Sequence, residues 1–488
     1  MLFNSIDFAL FLLIIFLLHW FAVKRNLKLQ NLLIVVASFT FYGWWDWRFL
    51  LLIIFSIIID YSVGLGLKKY EGSAKRKVLL WISITTNLSL LGFFKYFNFF
   101  VENFIAAFTF LGADISTNSL NIILPVGISF YTFQTLSYTI DIYKRKLEPT
   151  RDFLAYTAFV SFFPQLVAGP IERASHLLPQ FKEIRLFKYK SAVDGMRQIL
   201  WGLFKKVVIA DNSAVIVNQI FNNTESYSGS TLALGAFFFA FQLYGDFSGY
   251  SDIAIGTARL FGLNLKQNFA YPFFSRDFAE FWNRWHISLS SWVRDYLLIP
   301  LGGFHGNIWF KLKNILIIFV LIGLWHGANW TFILWGILNA LLFIPIFLKG
   351  RKWQTKTVAQ GNLLPNFKET IQMVSTFSFL VLIGIIFRAE NIPHAFIYYK
   401  GIFSPSFFTL PNFPNMQLAV TTTLLILITM SIEWFGREQE HPLNLLTLRK
   451  FYTLKWTRVK RWSIYSFIIF LIIIFKQTND IQFIYFHF

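Results

Sequence analysis

The sequence contains no cysteine. Disulfides, thiolate metal sites and a cysteine nucleophile are therefore excluded, although nothing follows about compartment. Charge is also scarce, at 14% Asp, Glu, Lys and Arg, while 56% of residues are hydrophobic and 20% aromatic, with 61 Phe. Those proportions lie outside the soluble globular range. No GxSxG elbow, no GxxxxGK[ST] loop and no dinucleotide fingerprint occurs, so the common signatures of soluble hydrolases and nucleotide enzymes are missing. No HxxxH or HxxEH pair accompanies the histidines, and no metal site is expected. No internal repeat is evident.

What remains is a succession of apolar runs of roughly 17 to 25 residues, each long enough to cross a hydrocarbon core of about 30 Å as a helix. The expected fold class is all-α and polytopic. The first segment, "MLFNSIDFALFLLIIFLLHW", lacks a basic leader and a small-residue cleavage site, so it reads as a retained span. The net charge of +19 comes from Lys and Arg gathered in short loops between the runs, a pattern of membrane topology rather than of nucleic-acid binding.

With the N-terminus outside, basic and non-basic loops alternate through five spans, from about residues 6–23 to the basic "KRKLEPTRD". Further spans are expected near 207–221, 231–258, 371–387, 416–434 and 464–476. The expected organisation is one membrane-embedded domain, 1–488, of about ten spans and two irregular segments.

The first irregular segment is 153–171, "FLAYTAFVSFFPQLVAGPI". Both its flanks are basic, and Pro164, Gly169 and Pro170 interrupt any helix. Broken backbone at membrane depth is tolerated only inside protein or beside a water-filled cavity, so a re-entrant or interfacial course is expected. The second is the apolar stretch 314–348, bounded by Lys311 and Lys313 and by Lys349, Arg351 and Lys352. As one helix it would be about 52 Å long and end on the wrong side, whereas two full crossings need about 40 residues plus a turn. A broken or hairpin excursion is expected, turning near Gly327 and Asn329. His326 would then lie roughly 18 Å in from Asn314, near mid-membrane.

An ionisable residue at that depth is expensive and marks a functional site by default. The purely structural alternative is a neutral histidine satisfied by neighbouring helices. Desolvation, however, also favours the neutral form that a general base requires.

Residues 278–297, "FAEFWNRWHISLSSWVRDYL", have the spacing of an amphipathic helix, with Phe278, Phe281, Trp282, Trp285, Leu289 and Trp292 on one stripe and Glu280, Asn283, Arg284 and Arg294 opposite. His286 falls on the apolar stripe. A membrane-surface helix is the bland reading of this segment. In "FQLYGDFSGYSDIAIG", Asp246 and Asp252 lie about 240° apart around a helix and cannot share a partner. Gly245 and Gly249 form a face for close helix packing.

The motifs "FFPQLVAGPIER" (162–173), "DFSGYSDIAIG" (246–256), "FWNRWHISLSSWVRDYLLIPLGG" (281–303) and "LWHGANWTFILWG" (324–336) occur in an order that resembles the membrane-bound O-acyltransferase family, specifically its bacterial alginate O-acetyltransferase branch. The ending "FIYFHF" is similar to that branch's "FIYFQF", with His487 in place of Gln. The resemblance implies a ring of helices around a central tunnel. It implies His326 as the central catalytic residue and His286 as a supporting one. Trp325, Asn329, Asp246 and Arg284 are further candidates at the substrate site, with Trp325, Asn329 or His286 able to polarise a carbonyl.

The implied reaction is transfer of an acyl group, with acetyl-CoA as donor substrate in the cytoplasm and no bound cofactor, to a hydroxyl presented outside. His326 would accept the hydroxyl proton, or carry the acyl group itself. The implied acceptor is a polysaccharide, or the serine of an extracytoplasmic partner of the SGNH-hydrolase type, in a bacterial cytoplasmic membrane. Two other readings stand beside it: D-alanyl transfer toward teichoic acid from a carrier protein, and, in a different class, a secondary transporter with a buried His and Asp in its pathway.

Overall fold

The computed structural model describes residues 1–110, 123–348, 357–447, 454–478, 481 and 483–484. The flanking charges Lys349, Arg351 and Lys352, the loop 112–121 and the terminal His487 lie outside the described residues. Among the described residues every regular element is helical. Six helices among the described residues are long and apolar enough to cross a membrane: Phe49–Lys69, Ser73–Phe110, Ile308–His326, Trp330–Leu348, Phe367–Arg388 and Met416–Gly436. The chain is a multi-pass, all-α membrane protein. Its contacts divide it into two units, one formed by Met1–Ala192 with Ala258–Lys266, the other by Val193–Thr257 with Gln267–Phe488.

In the first unit, three helices are joined through a carboxylate that an apolar span would otherwise leave unsatisfied. Asp60 of Phe49–Lys69 accepts from Ser83 Oγ at 2.5 Å and from Asn87 Nδ2 at 2.8 Å, both on Ser73–Phe110. Ser83 in turn meets Thr139 on helix Ile128–Tyr143. Buried polar groups persist in apolar surroundings when they are paired in this way. Arg76 donates to the carbonyls of Leu67, Ile142 and Tyr143, and so completes the C-terminal turns of two helices. In the segment 153–171, helix Phe153–Ser161 is capped by Asp152 and stops at Phe162, and a single turn, Phe163–Leu166, follows with Pro164 in its first positions. Both pieces are buried in protein, as broken backbone requires.

The second unit carries the antiparallel hairpin of Ile308–His326 and Trp330–Leu348. Gly323 faces Phe332 and Gly336 faces Phe319, so the register runs in opposite directions along the two helices. A Cβ at Gly323 would stand 2.2 Å from the Phe332 carbonyl oxygen, and one at Gly336 would stand 2.3 Å from that of Phe319. Only glycine permits this approach.

The hairpin differs from expectation in where it starts. Asn307 caps the first helix by accepting from Phe310 N at 2.9 Å, and Lys311 and Lys313 lie within it rather than bounding it. The Lys313 ammonium lies over the ring of Phe310, 4.5 Å from its centroid. Each arm thereby reaches 19 residues, enough for a crossing. His326 consequently ends a helix about 27 Å from Ile308, just before the expected turn, rather than roughly 18 Å in from a start at Asn314.

Candidate active site

Helix Ile308–His326 stops at His326 because the chain turns at Gly327, where a Cβ would stand 2.3 Å from the Phe332 ring. Asn329 then starts the returning helix. Its Oδ1 accepts from Thr331 N at 3.0 Å, and its Nδ2 donates to the Glu390 carbonyl at 2.8 Å. Both ends of this amide are thus engaged in holding the turn.

His326 is 6% exposed and enclosed by aromatic rings. Trp335, from the returning helix, meets it edge-on at 5.3 Å between centroids, Phe387 of Phe367–Arg388 at 5.0 Å, and Trp325 at 4.8 Å. The imidazole borders a predominantly apolar pocket, with Trp282, Trp285, Trp335, Phe387 and Asn339 among its walls. Of the six residues expected at the site, His326 is the one on this wall. A cavity of that kind, apolar with few convergent polar groups, suits a small organic ligand.

His286 departs from the expected continuous helix. The segment breaks into Phe278–Arg284 and Ile287–Val293, and His286 sits at the break in the left-handed region, at φ 46° and ψ 53°. The cause lies in Asn268. Its Oδ1 lies 3.1 Å from His286 Nδ1 and accepts from Ser288 N at 3.2 Å and Ser288 Oγ at 2.8 Å, while the Asn268 carbonyl accepts from Ile287 N at 2.9 Å. The amide is oriented by its Nδ2, which donates to Ser251 Oγ at 3.0 Å. Because Oδ1 is an acceptor, the His286 proton resides on Nδ1, leaving the Nε2 lone pair as the basic position. Burial lowers the pKa of His286 to about 3, so it is uncharged at neutral pH.

Trp325 contacts both imidazoles, with its ring 5.9 Å from His286 and 4.8 Å from His326. On the other side of His286, Phe247 meets it edge-on at 4.6 Å. Phe247 belongs to Gly229–Leu260, as does its neighbour Asp246. Asp246 and Asp252 do have separate partners, as their angular separation requires, and both partners are lysines. Lys206 Nζ lies 2.7 Å from Asp246 and 2.8 Å from Asp211, and Lys205 Nζ lies 2.7 Å from Asp252. The expected close face is present, since a Cβ at Gly249 would stand 2.8 Å from the Gly202 carbonyl and one at Gly245 would stand 2.9 Å from that of Lys205. Asp246 Oδ2 also accepts from Ile484 N at 2.7 Å, and Lys206 donates to the Ile481 carbonyl at 3.4 Å, so the pair fastens the C-terminal segment. Phe483 in that segment packs against Phe247 at 6.2 Å.

Arg284 donates to Glu280 Oε1 at 2.9 Å and to the Ala270 carbonyl at 3.2 Å. Glu280 also binds Arg276, at 2.9 Å. Arg284 therefore braces the approach to His286 within an Arg–Glu–Arg network.

Asn268, Trp282, Trp335, Phe387 and Lys206 were not marked as site residues by the sequence, although Trp282 and Trp335 fall within its motifs. Asn268 lies in an unremarkable loop, the aromatics are indistinguishable from ordinary core, and Lys205 and Lys206 read as the basic edge of a span.

The helical fold defines a multi-pass membrane protein. Residues 144–374 match the membrane-bound O-acyltransferase family. The chain is 36% identical over 452 residues to the "Probable alginate O-acetylase" of Pseudomonas aeruginosa, covering 92% of this chain and 84% of that one. It is 35% identical over 407 residues to the peptidoglycan O-acetyltransferase of Helicobacter pylori, covering 78% and 75%. It is 28% identical over 289 residues to the teichoic acid D-alanyltransferase of Bacillus subtilis, covering 56% and 71%. The chain belongs to the membrane-bound O-acyltransferase family and is an O-acyltransferase.

Proposed function

We propose that the protein transfers an acetyl group from a cytoplasmic thioester, acetyl-CoA, toward a hydroxyl of an exported polysaccharide, in the cytoplasmic membrane of a bacterium. The observation that carries this reading is His326, an imidazole at the end of a membrane-length helix on the wall of an aromatic cavity. In the step itself the acceptor oxygen attacks the thioester carbonyl, a C–O bond forms and the C–S bond breaks. The hydroxyl proton passes to His326, acting as the base, and from there to the departing thiolate. A thioester is already activated, so a single positioned base suffices, provided it comes within about 2.6 to 3.2 Å of the hydroxyl. The apolar walls keep water from competing for the acyl group.

Trp325 stands between the two imidazoles, 5.9 Å from His286 and 4.8 Å from His326. The immediate acceptor is the glycan or the serine of an extracytoplasmic SGNH-hydrolase-like partner. Acetyl transfer is favoured over D-alanyl transfer because the two relatives named for O-acetylation align over 92% and 78% of this chain, against 56% for the D-alanyltransferase. The names of these relatives likewise favour acyl transfer over secondary transport. The test is mass spectrometry of surface glycans from wild-type and deletion strains. Acetyl esters lost on deletion and restored by the gene support the reading, and unchanged acetyl content, or loss of D-alanyl esters instead, overturns it.

A further inference from the structure

A second cavity lies between the segment 282–298 and helix Ile308–His326. Its walls include Ser290, Ser291 and Arg294 on one side and Ile318, Phe319 and Ile322 on the other. Its lining carries Ser290, Ser291 and Arg294, whose hydroxyls donate to the Trp285 and Ser288 carbonyls and whose guanidinium pairs with Asp295 at 2.8 Å, beside aliphatic and aromatic groups. One residue borders both cavities, and that residue is Trp282.

The indole is held as a partition. Its ring meets Phe319, a wall of the second cavity, at 5.2 Å between centroids, and Trp335, a wall of the His326 cavity, at 5.9 Å. Phe281 packs beside it at 5.5 Å. Trp282 is 8% exposed, and its Nε1–H has no acceptor among the described residues. A buried donor left without an acceptor is unfavourable, and most buried indoles find one. Here a partition between two cavities carries an N–H that the protein leaves to something else.

We propose that Trp282 sets which acyl groups reach His326: its ring limits the length of chain that passes from the second cavity, and its N–H donates to the carbonyl oxygen of the acyl group held there. The mixed cavity suits the polar linker of a thioester donor, with hydroxyls and Arg294 for its amides and phosphates and apolar residues near the acyl end. The inference rests on the acyl-transfer reading above. It assigns to Trp282 a role in specificity that neither histidine supplies.

The test uses membrane vesicles containing the full-length protein, with radiolabelled acetyl-CoA or butyryl-CoA and counting of label in the glycan fraction. In the wild type acetyl exceeds butyryl transfer by about 100-fold or more, because each methylene against a closed wall is worth roughly 10-fold or more. Trp282→Ala lowers that ratio by at least about 10-fold by admitting butyryl. Trp282→Phe keeps the ring and the ratio but loses the N–H, so kcat falls by about 10²-fold while KM for acetyl-CoA stays within about 2-fold. A Trp282→Leu variant supplies the chain-length measurement if the alanine variant does not accumulate. An unchanged acetyl-to-butyryl ratio in an abundant Ala or Leu variant overturns the partition, and unchanged kcat in Trp282→Phe overturns the N–H contact. Wild-type vesicles that transfer no acyl group would instead overturn the proposed function itself.

Discussion

Asn268 fixes His286: one amide oxygen, 3.1 Å from the imidazole Nδ1, also binds the backbone and side chain of Ser288 and so holds the break between two short helices. His286 keeps its left-handed backbone because this amide holds it, and its tautomer follows from the same contact. Asn268→Ala removes an acceptor shared by three donors in a fully buried position. Each unsatisfied buried donor costs about 1 to 3 kcal/mol. The expected outcome is a lower melting temperature in detergent and a loss of acyl transfer of at least about 10-fold. Unchanged values of both would show that the break forms without Asn268.

The buried neutral state of His286 gives a pH dependence of stability. Its folded pKa of about 3 lies below the ordinary value of 6.5, so between those limits the unfolded chain binds the extra proton. Stability from this source is complete above pH 6.5 and falls as pH drops through that window. The wild type should therefore lose more melting temperature than His286→Gln between pH 7.5 and pH 5. Parallel losses in the two proteins would contradict the assignment.

Lys206 balances two buried carboxylates, Asp211 and Asp246, at 2.8 and 2.7 Å. Removing one partner from a buried pair is expected to cost about 3 to 5 kcal/mol, because the charges left behind are uncompensated. Lys206→Met should accumulate poorly and release the 481–484 segment, measurable as faster proteolysis of a C-terminal tag. The triple variant Lys206→Met, Asp211→Asn, Asp246→Asn should recover much of the lost stability. A Lys206→Met protein as stable as the wild type would show that the pair is dispensable.

The hairpin depends on Gly323. An added methyl would meet the Phe332 carbonyl oxygen at 2.2 Å, a backbone contact that no rotamer change relieves. Gly323→Ala should destabilise by about 1 to 3 kcal/mol and lower activity, because His326 and Trp335 ride on opposite arms. Thermal denaturation and turnover of the purified variant check this, and wild-type values in both would rule out close packing as the constraint.

The sequence made some of this architecture legible and left the rest hidden. Apolar run length indicated an all-helical membrane protein, and a stretch too long for one crossing indicated the turn near Gly327. The start of that hairpin was obscured because Lys311 and Lys313 look like boundaries in a string of letters, yet their stems can lie along a helix. Periodicity placed His286 on a continuous apolar stripe. The break there is imposed by Asn268, 18 positions earlier in the chain, and no local pattern records a contact of that range. Phe387, 61 positions after His326, completes the aromatic enclosure for the same reason. The lysine partners of Asp246 and Asp252 were hidden because two adjacent lysines at the edge of an apolar run usually mark a membrane boundary.

The central claim is that His326 performs the proton transfer of acyl transfer, and its most direct measurement is the acetyl ester content of surface glycan in a strain whose only copy carries His326→Ala. The variant should be as abundant in the membrane as the wild type and should lower acetyl content by at least about 10²-fold, the scale of a lost general base. Wild-type acetyl content in that strain would contradict the account.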